Sequence, residues 1–321
     1  MCIKFAFVFI MIVRGSVMGV PIEEQDSSEH GVATGQVGTD CPCGWSNKAR
    51  ARIVGGVDAD PHEWPMMAGF VAKTGSYKPN KLVCGGTLVS RRHIVTAGHC
   101  VHTNGGRPLQ PEQLHVVLGA HKLSDIDYND PKVMRTIEKF IAHPNYKHST
   151  VSYDIAIALL EEAVQFSNII GPACLPTKRI YPVGNNLKAI GWGFIDMKAT
   201  EPDALQETTV KVVNPSLCSA YNQFDMKEGY QFCTYQGGSS GQCVGDSGGP
   251  ILWRDPETNR YTLVAFPSFS AAGCVWKPAV VSDVTYFLPW IQQVVSESAP
   301  AEQTCTKLEN TNNNDILVFP D

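Results

Sequence analysis

The chain predicts an all-β fold of antiparallel strands with a C-terminal helix. Two observations carry that prediction. From about Ile53 onward, short apolar or alternating runs follow one another between turn residues, and helix start signals are few. In order, the runs are Pro65–Ala72, Leu82–Ser90, His93–Ala97, Leu114–Ala120, Ile155–Leu160, Leu187–Gly193, Thr208–Val213, Tyr261–Phe266 and Ala279–Val284. Many short strands at fairly regular spacing fit barrels or sandwiches. One helix is expected after Asn214, which can cap, with Pro215 suited to the first helical position; the other spans Thr285–Val295.

The flanks differ from this central region. Lys4 precedes an apolar run, Phe5–Val13, followed by small residues at Ser16 and Gly19, so residues 1–19 read as a secretory signal. That run is too short to cross a bilayer. A secreted, extracellular protein without a membrane anchor is expected. Val20–Asp40 is acidic, glycine-rich and poor in bulky residues, which predicts disorder and marks residues 20–52 as a propeptide. Ser296–Asp321 is mostly polar and reads as a tail. Of the 11 cysteines, Cys2 leaves with the signal, and the even remainder suits an oxidised protein. Cys41 and Cys43 form the only close pair, without a second pair at ligand spacing, which argues against zinc. The formal charge of −5, with no basic patch interleaved with aromatics, argues against nucleic acid as a partner.

The chemistry concentrates in "GQCVGDSGGP", Gly241–Pro250. A serine hydroxyl is a weak nucleophile at neutral pH and needs a base for its proton and donors for the resulting oxyanion. Glycines around Ser247 let the amides of Gly245 and Ser247 face one point. Of nine histidines, His99 in "HIVTAGHC" ends a strand-like run and is followed by a cysteine able to anchor its loop. Asp154 in "YDIAIALL" leads into an apolar strand, where a carboxylate needs a partner. Taken singly, these read as a turn serine, a structural histidine and a strand-initiating acid.

Together the motifs resemble the trypsin and chymotrypsin-like serine proteases, and they are similar to secreted insect proteases, venom ones included. The matching stretches, in family order, are "RIVGG" (Arg52–Gly56), "TAGHC" (Thr96–Cys100), "YDIAIALL" (Tyr153–Leu160), "GWG" (Gly191–Gly193) and "GDSGGP" (Gly245–Pro250). The resemblance implies two six-stranded antiparallel β-barrels over residues 53–295. It implies a zymogen in which Ser247 attacks the scissile carbonyl, His99 moves the proton, Asp154 orients the imidazole, and the Gly245 and Ser247 amides form the oxyanion hole. Cleavage after Arg52 would free the Ile53 amine to pair with Asp246. Gly98 stands where alanine is usual, and no loss of activity is expected from the missing methyl group.

Specificity is implied by Gly241 at the pocket base, where an acid would select Arg or Lys, and by the neutral wall residues Ser268, Ser270 and Ala279. A chymotrypsin-like preference for neutral apolar side chains follows. The implied partners are protein or peptide substrates, an activating trypsin-like protease and a protein inhibitor; the implied state is a monomer without cofactor or metal. Asp125, Asp127 and Asp130 lie in the region of the family's calcium loop, but Ala120 replaces an expected glutamate ligand, so a solvated turn is favoured. Family pairings transfer to Cys84–Cys100, Cys218–Cys233 and Cys243–Cys274. Leu187 and Trp253 occupy both positions of a further family pair, so that bridge is absent as a whole. Cys174 resembles the cysteine that tethers the propeptide, with Cys43 its usual partner, leaving Cys41 to Cys305; the swapped pairing stays open.

Two rivals remain. "GDSGG" satisfies the G-x-S-x-G of α/β-hydrolases, but Gly248, Gly249 and Pro250 break the helix that elbow needs, and the order here is His, Asp, Ser. A catalytically silent regulatory or binding protein on the same scaffold is the stronger rival, since a fold alone never fixes function.

Overall fold

The computed structural model describes residues 38–48, 57–73, 80–130, 133–179, 186–196, 198–221, 226–227, 229–235, 245–270 and 277–308. Strands β1 (Val57–Asp58), β2 (Met67–Ala72), β3 (Leu82–Leu88), β4 (His93–Thr96), β5 (Leu114–Leu118), β6 (Met134–Arg135), β7 (Ile137–Ala142) and β8 (Ala156–Leu160) come first. Then follow β9 (Asn186–Gly191), β10 (Gln206–Val213), β11 (Gln231–Tyr235), β12 (Ile251–Asp255), β13 (Arg260–Ser270) and β14 (Ala279–Asp283). They build two antiparallel barrels, ordered β6-β5-β2-β3-β4-β8-β7 and β1-β10-β11-β14-β13-β12-β9. A β9–β10 pairing closes the second. Each holds seven strands rather than six because the two-residue pairings β1 and β6 add an edge.

The core explains the near-continuous apolar strands. β2, β4 and β8 are buried at every position, as strands are when both faces meet protein. Leu187 and Trp253 share one apolar cluster with Ala189, Ile251 and Val264, so packing occupies the place of the missing disulfide. Helix α1 (Pro215–Tyr221) starts as expected, with the Ser216 amide donating to Asn214 Oδ1 at 2.9 Å. Helix α2 (Val284–Ser298) begins one residue earlier than expected because Asp283 is its cap, accepting from the Thr285 amide at 2.9 Å. It also runs three residues further: Ser298 Oγ lies 2.9 Å from Nε2 of fully buried His93, whose Nδ1 lies 2.7 Å from Ser90 Oγ.

The flanks are not free ends where they are described. Thr39 bridges Lys307, the Asp40 amide donates to Thr306 O at 2.9 Å, and the Leu308 amide donates to Gly38 O at 2.8 Å. The disulfides Cys41–Cys305 and Cys43–Cys174 lock this pairing, which excludes the swapped connectivity. Cys84–Cys100 and Cys218–Cys233 are also formed, whereas Cys243 and Cys274 lie outside the described residues. Residues 38–41 and 305–308 thus pair with each other and residues 296–298 complete helix α2, against the expectation of disorder up to Asp40 and of a polar tail.

Candidate active site

Strand β4 ends at Thr96, and a single 3-10 turn, Gly98–Val101, carries His99 away from it. Cys100 in that turn is bonded to Cys84 of β3, which ties the turn to its neighbour. Asp154 lies just ahead of β8, and the β4–β8 register sets Thr96 opposite Ala156. Residues just past Thr96 therefore meet residues just before Ala156. The fully buried Asp154 accepts from the His99 amide through Oδ1 at 2.8 Å and from His99 Nδ1–H through Oδ2 at 2.9 Å.

The second barrel completes the grip. Ser268 Oγ in β13 donates to Asp154 Oδ2 at 2.5 Å, and Ser282 Oγ in β14 donates to the Asp154 carbonyl at 3.1 Å. A buried carboxylate is tolerable only with such donors. Burial disfavours a charged His99, yet the Asp154 charge and hydrogen bond outweigh it and hold the imidazole above its ordinary pKa. With Nδ1–H engaged, Nε2 is the ring nitrogen left to exchange a proton.

The loop leading to the acid is strained. Val151 and Tyr153 adopt φ of 49° and 51°, the left-handed region that costs an ordinary residue about 1–2 kcal/mol. Tyr153 is held there between two rings, His143 at 5.0 Å and Tyr230 at 4.5 Å, both stacked on it.

Ser247 sits on backbone that the glycines make available. Its carbonyl accepts from the Gly85 amide of β3 at 2.8 Å and lies 3.6 Å from Cys100 Sγ, so the serine's backbone packs against the turn bearing His99. The following Gly248 has φ +77° and donates to Pro267 O at 3.0 Å. A Cβ there would come within 2.2 Å of Thr96 Oγ1, so no other residue fits between the serine and the barrel. Gly245, on the other side, has φ +101°.

Asp246 points the opposite way, into the "GWG" stretch, where its Oδ1 accepts from the Gly193 amide at 2.9 Å. A Cβ on Gly191 or Gly193 would stand 2.1 or 2.4 Å from its carboxyl group. Both glycines are therefore required by the carboxylate they receive. Arg52, Ile53 and Gly241 lie outside the described residues.

Of the expected pocket residues, Ser270 and Ala279 are Cα partners on the adjacent strands β13 and β14. Ser268, expected on the pocket wall, turns its hydroxyl onto Asp154. Asp127 caps its own turn, Oδ1 accepting from the Asn129 amide at 2.9 Å. Among the described residues, the groups of candidate metal ligands that converge are Cys84–His99–Cys100 and Asp40–Cys41–Cys305. Their cysteines are all in disulfides, which leaves no thiolate to bind an ion.

The trypsin family model matches residues 53–291. The chain belongs to the trypsin family. It is 33% identical over 270 residues to venom serine protease 34 of Apis mellifera, covering 82% of this chain and 62% of that protein. It is 31% identical over 255 residues to a venom serine protease of Polistes dominula, covering 78% and 87%. The clotting factor G beta subunit of Tachypleus tridentatus is 32% identical over 256 residues, covering 76% and 79%. The chain thus spans less than two thirds of the honeybee protein and most of the other two. Among the described residues, no helix is long and apolar enough to cross a membrane.

Against this family background the surroundings of Gly98 differ. A Cβ there would stand 2.8 and 3.0 Å from Cδ2 and Cε2 of Tyr146 and 3.2 Å from Asp154 Oδ1. Tyr146 cannot simply retreat, because its ring packs 4.7 Å from that of His102, and its hydroxyl lies 3.3 Å from His148 Nδ1. His102 Nδ1–H in turn donates to the Gly98 carbonyl at 2.7 Å. Glycine is thus part of a tight arrangement beside the acid, in which the Tyr146 ring takes the space that a methyl group would need. Burial and the Asp154 charge both push the Tyr146 phenol above its ordinary pKa, so it stays a neutral cover. No sequence pattern marks Tyr146, since its partners lie at irregular separations.

Proposed function

We propose that the protein is a secreted serine endopeptidase, made as a zymogen and activated by cleavage after Arg52, in which Ser247, His99 and Asp154 hydrolyse peptide bonds. The observation that carries this reading is the buried Asp154 carboxylate, fixed by Ser268 and by both His99 donors. Such a carboxylate selects the tautomer with Nε2 unprotonated and stabilises the imidazolium that forms when the serine gives up its proton. The Gly245 and Ser247 amides are the donors for the oxyanion, and one such donor is typically worth about 3 kcal/mol in the transition state. The released Ile53 amine pairs with Asp246, whose carboxylate already accepts from the Gly193 amide.

Substrates on this reading are proteins or peptides with a neutral apolar residue before the cut, in keeping with the uncharged Ser270 and Ala279, side by side on β13 and β14, and with Gly241 at the expected base. Size discrimination in such a slot is modest, about 1–3 kcal/mol per methylene. The names of the relatives, two venom proteases and a clotting factor, support an extracellular setting. The test is fluorophosphonate labelling of the trypsin-treated protein. Labelling of wild type and none of Ser247→Ala supports the proposal; an unlabelled chain with a verified Ile53 terminus would make it a silent scaffold. Faster cleavage of arginyl than of phenylalanyl or leucyl peptides would overturn the specificity.

A further inference from the structure

The stretch "NKARARIVGG" offers a trypsin-like protease three basic residues, Lys48, Arg50 and Arg52, and only a cut after Arg52 frees Ile53. A cut after Lys48 leaves four extra residues ahead of it. Lys48 lies outside the residues that the family model matches, yet it is among the most deeply buried cations of the described residues. Its Nζ stands 3.1 Å from Glu207 Oε1 and 3.4 Å from Glu63 Oε1, with the three side chains only 4%, 4% and 2% exposed.

Both acids are themselves held. Glu207 Oε1 also meets Lys188 Nζ at 3.2 Å, and its Oε2 accepts from Trp64 Nε1 at 3.1 Å. Glu63 Oε2 accepts from the Asp60 amide at 2.8 Å. The backbone entering Lys48 is pinned as well: the Asn47 amide donates to Glu63 O at 3.0 Å, and Asn47 Nδ2 reaches the carbonyls of His62 and Asn168. On the far side of residues 49–56, Val57 is the Cα partner of Glu207. One glutamate therefore receives the chain on both sides of that stretch.

Given the zymogen reading above, on which this inference rests, we propose that Glu207 and Glu63 act as a processing selector: by holding Lys48 inside the barrel wall they withdraw the Lys48–Ala49 bond from the activating protease. A protease must take the side chain before the scissile bond into its own pocket and extend the backbone around it. For Lys48 that means leaving the buried Glu63 carboxyl without its cation and Glu207 with Lys188 alone. Removing one partner of a buried pair is costly enough to suppress cutting roughly a hundredfold or more.

The test is limited trypsin digestion of the full chain, with the C-terminus of the N-terminal piece identified by intact mass. In the native protein, pieces ending at Lys48 should form at least about a hundredfold more slowly than in urea with the disulfides reduced. Equal rates in the two states would overturn the proposal. The double variant Glu63→Gln/Glu207→Gln, with folding checked by its thermal transition, should expose the bond; a folded double variant that still protects Lys48 would also overturn it. If that variant does not fold, the Glu207→Gln single variant is read in the same way. Because the readout is a mass and not an activity, failed fluorophosphonate labelling would sink the protease reading and leave this result standing.

Discussion

Replacing Gly98 by alanine adds one methyl group beside the acid and tests whether the Tyr146 contact is as tight as the geometry requires. The new Cβ would lie 2.8 Å from the Tyr146 ring, and comfortable carbon contacts begin near about 3.5 Å, so a shift of about 0.7 Å must be absorbed. The ring is braced by His102 and His148, and on the other side stands Asp154 Oδ1 at 3.2 Å. Overpacking of this kind costs about 1–3 kcal/mol. If part of the shift falls on the acid, the His99–Asp154 hydrogen bond is misaligned, and kcat should drop about 3–30-fold with KM nearly unchanged. The remainder appears as a Tm lowered by about 2–4 °C per kcal/mol. Active-site-titrated kinetics and thermal unfolding measure both. Adding Tyr146→Leu should relieve the penalty, as a double-mutant cycle between touching residues requires. A Gly98→Ala enzyme with the parent's kcat and Tm, or a double variant without recovery, would refute the reasoning.

Asp154→Asn should keep the fold yet lose about four orders of magnitude in turnover, and near-normal turnover would mean another residue orients His99. Ser268→Ala, which removes one donor to Asp154 Oδ2, should lower kcat by about tenfold and leave the ratio of phenylalanyl to leucyl cleavage unchanged. Turnover should fall as pH drops through the pKa of His99, on an acid limb displaced upward from the ordinary imidazole value because Asp154 favours the charged ring. It should also fall at alkaline pH as the Ile53 amine, with an ordinary value of about 8, deprotonates. Stability has a separate acid dependence: burial, with help from Arg92 and Lys139, lowers the pKa of His93 to about 4. The unfolded chain therefore takes up this proton first, and about 3 kcal/mol of stability present above pH 6.5 is lost as pH falls towards 4. Urea unfolding of wild type and His93→Gln across that range should show a shallower slope for the variant.

The apolar runs were legible because a barrel strand buried on both faces must be a short unbroken hydrophobic stretch, as β2, β4 and β8 are. The expected helix starts held to within a residue because Asn214 and Asp283 lie beside the amides they cap. His99 and Asp154 could be picked out because each borders such a strand, and the β4–β8 register then joins them. The bond from Ser268 to Asp154 is not legible in the sequence: strand periodicity does not say which neighbour a hydroxyl meets, and this one is 114 residues away. Lys48 and Thr306 sit in polar flanking stretches, where polarity suggests solvent. Lys48 is buried against Glu207 and Thr306 is tied to Asp40, partners that no local pattern names.

The most direct measurement is the mass of the activated chain during the burst phase with an activated ester of a phenylalanyl peptide. One acyl group per molecule, mapped to Ser247 and absent from both Ser247→Ala and the uncleaved chain, is the predicted result. An acyl group on another residue, or none on a chain whose new N-terminus is Ile53, would contradict the account.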